Sequence, residues 1–168
     1  AKIKIIHDCV YELEHYIILI SSRDEFAVDK VKDVRGELES NEALIRVYGP
    51  QIGPTWNTDD IITTLGVRVR AIARGAAARG LLWGQFRATK IVPDDAEHTI
   101  HVLTENQRQK TWDWFAEDIS KLGDKDTNIE AIGTLLHQDS LLAKLMKNPG
   151  YRARRYQAVL QFADANAV

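Results

Sequence analysis

Residues 16–20, Tyr-Ile-Ile-Leu-Ile, form a wholly apolar and largely β-branched run set between two amphipathic segments. A strand with no polar position is covered on both faces, which is the situation of a parallel strand sandwiched between helices. The flanking segments agree. Within 3–14, Ile3, Ile6, Val10 and Leu13 fall at helical spacing, and within 23–40, Ala27, Val31, Val34 and Leu38 form an apolar stripe. The expected fold class is therefore α/β, a largely parallel layered sheet flanked by helices.

The remaining segments continue the alternation. Gly49-Pro50 and Gly53-Pro54 read as an irregular loop. The β-branched run 61–64 and the two-residue alternation 67–72, separated by Gly66, read as a hairpin. Residues 90–93 form a short strand, and Thr104 and Gln107 match a capping box ahead of a helix with Trp112, Phe115, Ala116 and Ile119 on one face. A strand at 128–132 ends at Gly133-Thr134, and helices are expected over 139–146 and 152–162. The 168 residues suit a single domain, 1–168. The lone Cys9 excludes an internal disulfide or a cysteine-built zinc cluster. No apolar run near the N-terminus reaches membrane-spanning length, so a cytoplasmic chain with no membrane partner is expected. A net charge of −2 gives no global attraction for nucleic acid.

Two features carry candidate chemistry. The strand at 90–93 stops at adjacent carboxylates, Asp94 and Asp95, with Glu97 just beyond. In parallel α/β sheets ligands sit beyond the carboxyl ends of strands, where one carboxylate can hold Mg²⁺ and a second can orient water. A solvated turn or a helix cap fits the same spacing. The second feature is the stretch 61–93, which has no acid and carries Arg68, Arg70, Arg74, Arg79, Arg87 and Lys90. Such a segment suits DNA phosphates, a nucleotide or an acidic neighbour, and equally a solvated face.

Several segments in order, RGAAARG (74–80), WGQFR (83–87), the acidic strand end, QRQKTWDWF (107–115) and IGTLLHQDSLL (132–142), resemble the ATPase domain of tailed-phage large terminase subunits. The likeness extends upstream through 16–21 and 37–42 and spans about 2–156. It implies a P-loop NTPase fold of the ASCE type, lacking its first strand and phosphate loop. Asp94 then takes the nucleotide-linked Mg²⁺ role and Asp95 the catalytic, water-positioning role. Arg79 matches an arginine finger acting across a subunit boundary. Gly133 and Thr134 match the coupling motif, and Lys2 aligns with the phosphate-loop lysine. The cofactors implied are Mg²⁺ and ATP. The partners implied are double-stranded DNA, identical subunits in a ring on a portal protein, and a small terminase subunit, all in the host bacterial cytoplasm. Glycine-rich GxxxxGK[ST] is absent, Ile3 stands where its hydroxyl residue belongs, and no nuclease domain is expected within 1–168. The alternative is a catalytically silent α/β interaction or DNA-binding module derived from such a motor.

Overall fold

Tyr16–Ser21 forms strand β1, and every one of its residues is buried. The computed structural model describes residues 1–75 and 80–156. Beside β1 lie β4 (Arg68–Ala73) and β5 (Lys90–Pro93), both parallel to it, and β6 (Asn128–Ile129) pairs in parallel with β5. Strands β2 (Ile52–Trp56) and β3 (Asp60–Thr63) extend the sheet antiparallel beyond β4, giving the order β2-β3-β4-β1-β5-β6.

The period of two along β1 divides the core. Ile17 and Leu19 face α1 (Lys2–Val10) and α2 (Asp24–Ser40), packing with Ile5, Cys9, Ala27, Val31, Val34 and Leu38. Tyr16, Ile18 and Ile20 face the opposite layer, where they meet Phe115, Ile119, Leu141 and Leu145. That second layer comprises α4 (Glu105–Trp114), its π-helical continuation Phe115–Ile119, and α5 (Leu141–Lys147). The α2 stripe predicted from spacing is fully buried at all four positions. Each Val or Leu among them contributes roughly 1.5–3 kcal/mol relative to an exposed side chain.

Local signals specify the ends. Thr104 accepts from the amide of Gln107 while the Gln107 side chain accepts from the amide of Thr104, completing the capping box. Between β3 and β4 the chain turns at Gly66, whose φ of 81° is the left-handed region that glycine enters without penalty. Ser140 caps α5 by accepting from the amide of Ala143.

Three expectations need correction. Helix α1 is rotated from its apparent apolar face: Ile5, Asp8 and Cys9 are buried, while Ile3 is 81% exposed and Leu13 56% exposed. The second Gly-Pro pair of the expected loop lies instead in the edge strand β2, where Pro54 is tolerated because one side of the strand needs no donor, and α3 (Glu42–Tyr48) ends just before the first pair. Residues 152–156 are not helical, and the rest of that expected helix lies outside the described residues. Among the described residues no helix is long and apolar enough to cross a membrane.

The rotation of α1 has an electrostatic cause. Lys90, at the start of β5, has no exposed surface, and its ammonium donates to Asp8 Oδ2 at 2.7 Å and reaches Glu130 Oε2 at 2.8 Å. Asp8 is equally buried and also receives the Lys4 ammonium. A buried charge is tolerated only when paired, so Asp8 must face the sheet and the apolar residues of α1 follow it. Burial alone pushes the Asp8 carboxyl up, but its bonds from Lys4 and Lys90 prevail and hold it below the usual carboxylate range. Burial likewise pushes Lys90 down, and the bonds to Asp8 and Glu130 outweigh it, so its pKa lies above the usual value.

The pair therefore stabilises the fold between two limits. The Asp8 contribution is complete above its unfolded value of 3.8 and is lost as pH falls through the lower folded value. The Lys90 contribution is complete below its unfolded value of 10.5 and is lost as pH rises through the higher folded value. Removing one partner, as in Asp8→Asn, should cost about 3–5 kcal/mol, and Asp8→Leu combined with Lys90→Met should recover much of that loss. Urea unfolding of the single and double variants measures both.

Candidate functional site

The carboxyl ends of β1, β5 and the segment after β6 meet at one rim of the sheet. Backbone bonds fix the acidic pair there. The amide of Asp94 donates to Ile20 O at 2.8 Å, prolonging the β1–β5 ladder by one step. The amide of Asp95 donates to Ile132 O at 3.0 Å, and Asp95 O accepts from the amide of Ser22 at 3.1 Å. Asp95 has a φ of 50°, a left-handed conformation to which aspartate is better suited than most residues. The chain thus bends between the two acids and is tied to the neighbouring segments on both sides.

Pro93 does not disrupt this arrangement. It stays in register opposite Ile20, and its carbonyl accepts from the amide of Ile132 at 2.8 Å. Because Asp94 donates toward β1, the donor missing at Pro93 falls on the β6 side. There the pairing has already loosened to a single bridge between Asp94 and Ile132.

A cavity of about 390 Å³ opens over this rim, lined among others by Ser21, Lys30, Asp95, Glu97, Gly133 and Thr134. The structure therefore brings together four residues singled out in the sequence: Asp94, Asp95, Gly133 and Thr134. Gly133 sits tightly against the acids, since a Cβ there would lie 3.1 Å from both Asp95 Oδ1 and Leu142 Cδ1. Lys2 is placed elsewhere, its ammonium 3.0 Å from Glu37 on α2, and it does not line the cavity. Arg79 lies outside the described residues.

Two functional candidates escaped the sequence reading. Lys30 projects from α2 so that its ammonium is 2.7 Å from Asp94 Oδ2 and 3.6 Å from Asp95 Oδ2, and it also donates to Asp94 O at 3.4 Å. Its position was legible in principle. Lys30 is three residues after Ala27 and four before Val34, so it stands on the inward stripe of α2, where a cation needs a partner. The other is Ser21, a fully buried residue whose hydroxyl has no hydrogen-bond partner.

Glu97 turns away from the aspartates. Its Oε1 accepts from the amide of Leu141 at 2.9 Å, at the start of α5, while Oε2 is buried without a partner. Burial pushes its carboxyl above the usual range, against the opposing pull of the Leu141 and Leu142 amides and of the Arg74 charge. Among the described residues no group of three or more His, Cys, Asp or Glu is disposed around a common metal position.

Three of the six cations of the basic stretch are engaged inside the fold. Arg68 makes two bonds to Asp60, at 2.8 and 2.6 Å, and lies over the rings of Tyr16 and Trp83. Arg74 donates to Thr111 Oγ1 at 2.8 Å and covers Trp114. Lys90 is the buried amine described above. These side chains serve packing rather than a continuous cationic face.

Comparison with known proteins adds no assignment: no family model, curated protein or solved structure matches the chain.

Two variants test the rim. Gly133→Ala should push Asp95 or Leu142 aside at a cost of about 1–3 kcal/mol, read as a lowered urea midpoint. For Glu97, a raised folded pKa means that wild-type stability falls as pH rises above the ordinary value of 4.5 toward the folded value. Glu97→Gln keeps the acceptor for Leu141 and removes the ionisation. Its melting temperature should therefore gain on wild type as pH rises through that window, and a constant difference would contradict the assignment.

Proposed function

We propose that this chain is the hydrolytic part of a DNA-packaging motor ATPase domain of the large-terminase kind, with the rim around Asp94 and Asp95 as its nucleotide-facing site. One observation carries the reading: two carboxylates at the tip of an inner parallel strand, with Gly133-Thr134 at the end of the next segment and a cavity lined by Asp95, Gly133 and Thr134 beside Asp94. Ligands of α/β sheets occupy that position.

The donor set suits a hard divalent cation. Asp94 and Asp95 offer carboxylate oxygens, and Ser21 and Thr134 offer hydroxyls close by. An ammonium from Lys30 already lies between the acids, so the cradle accepts positive charge. In this reading Asp94 holds Mg²⁺, which when bound supplies charge neutralisation on the phosphates. Asp95, more exposed than Asp94, orients water. Thr134 responds to the phosphate state through its contact with the same cavity, and Arg79 acts across a subunit boundary.

The reading requires a strand and glycine-rich loop that the 168 residues do not contain. The sheet has two edges, β2 and β6. The β2 edge is separated from β5 by β3, β4 and β1, whereas β6 adjoins β5. A strand delivering a loop to the rim must therefore pair with β6, along which runs a groove of about 1380 Å³ lined by residues 127–135, parts of α5 and residues 150–156. The competing reading, a catalytically silent interaction module, draws support from the Lys30 ion pair, which satisfies the acids without any cofactor.

Phosphate release by the chain alone should stay near background with or without Mg²⁺. A chain extended at its N-terminus by its upstream coding residues should bind Mg·ATP in a calorimetric titration, and Asp94→Asn should abolish that binding. If the extended chain binds no nucleotide, the silent-module reading stands in its place.

A further inference from the structure

We infer that Lys30 is a built-in counter-ion, which a divalent cation must displace to reach Asp94 and Asp95. The inference rests on the reading of these acids as a cation site and concerns how that site is controlled.

The rim carries more negative than positive charge. Asp33, Asp95 and Glu97 line the cavity and Asp94 adjoins it, with Lys30 the one lysine or arginine in the lining among the described residues; Asp29, also in the lining, is paired with Lys32 at 2.9 Å. Adjacent carboxylates repel, and in the described structure the Lys30 ammonium relieves that repulsion by reaching both. Its root is fixed because Ala27, Val31 and Val34, on the same stripe of α2, are fully buried. Its tip is less confined. The side chain is 27% exposed, and Asp33, three residues further along the helix, lines the same cavity and can receive the ammonium when it swings outward. Lys30 therefore has two acidic destinations, one over the site and one beside it.

A separate observation points to a ligand at the inner position. Ser21, a residue with no exposed surface, lines the cavity, and its buried hydroxyl has no partner. Buried hydroxyls are normally hydrogen-bonded, and an ion with its water shell supplies the partner that Lys30 does not. Two carboxylates and two hydroxyls make a hard oxygen set suited to Mg²⁺ or Mn²⁺. An ammonium and a divalent ion cannot occupy the same space between the acids, so each weakens the binding of the other.

The test is a Mn²⁺ titration followed by the electron paramagnetic resonance of the free ion, using wild type, Lys30→Met, Asp94→Asn, and Lys30→Met combined with Asp94→Asn. Lys30→Met should bind Mn²⁺ about tenfold more tightly or better, and Asp94→Asn should remove the gain. Lys30→Gln, which keeps a polar tip without charge, should show the same direction and serves if the methionine variant folds poorly. In parallel, Mg²⁺ should raise the melting temperature of Lys30→Met more than that of wild type. Equal Asp94-dependent affinity in wild type and Lys30→Met, or weaker binding in the variant, overturns the counter-ion role alone. Absence of Asp94-dependent binding in every protein overturns the cation site itself and the inference with it.

Discussion

A lysine with no exposed surface, at the first position of a four-residue strand, is the constraint to which much of this fold answers. An ammonium taken out of water costs several kcal/mol unless its partners are well placed. For Lys90 they come from two directions: Asp8 from the helical layer and Glu130 from just past β6. One side chain thereby ties α1, an inner strand and the sheet edge together. It also steadies the register of β5 against β6, with Lys90 opposite Asn128 and Ile91 opposite Ile129. The same offset places Asp94 opposite Ile132 at the far end. A slip of one residue would strand Lys90 and turn every side chain of β5 to the other face.

The two lysines that meet aspartates in this molecule do different work because their surroundings differ. Lys90 has acidic partners within reach and no route to solvent, so its pairing is part of the folded state. Lys30 retains partial exposure and an alternative acid on its own helix. A bound divalent cation carries twice the charge of the ammonium and competes with it for the same oxygens. The fixed pair lies at the amino ends of the parallel strands and the movable one at their carboxyl ends, where ligands bind.

How much of this was legible in the sequence depended on the range of the interaction involved. Strand β1, the α2 stripe, the hairpin about Gly66 and the capping box at Thr104 are specified by neighbours within a few residues, and the structure contains each of them. The rotation of α1 is set by an acid and a base 82 positions apart, and no local pattern contains that distance. The β2 segment was masked by its Gly-Pro pairs, which mark loops in the interior of a chain but are tolerated on an edge. At the candidate site the acids and Gly133-Thr134 converge as the strand order requires. Lys30 was visible as a cation on an apolar stripe, but naming its partner needed the sheet topology. Arg68 and Arg74 read as part of a patch because their partners escape a scan of the stretch for acids: Asp60 is one residue outside it, Thr111 and Trp114 are far along the chain, and Trp83 is uncharged.

The two sheet edges are unequal in a way that bears on the site. The β2 edge carries Pro54 and an irregular register against β3, features that discourage another strand from pairing. The 128–132 segment has no proline, and its one charged side chain, Glu130, reaches Lys90. Edge charges deter pairing only when they face the incoming strand, and among the described residues this segment carries neither a proline nor a free charge of its own, although residues 150–156 flank the groove beside it. A strand added in parallel there would end at the same rim as β1 and β5. The loop following it would then arrive over Thr134 and the aspartates. The edge best able to accept a strand is thus the edge adjoining the acids, and this makes completion of the site from outside the described sheet a matter of geometry rather than of distant rearrangement.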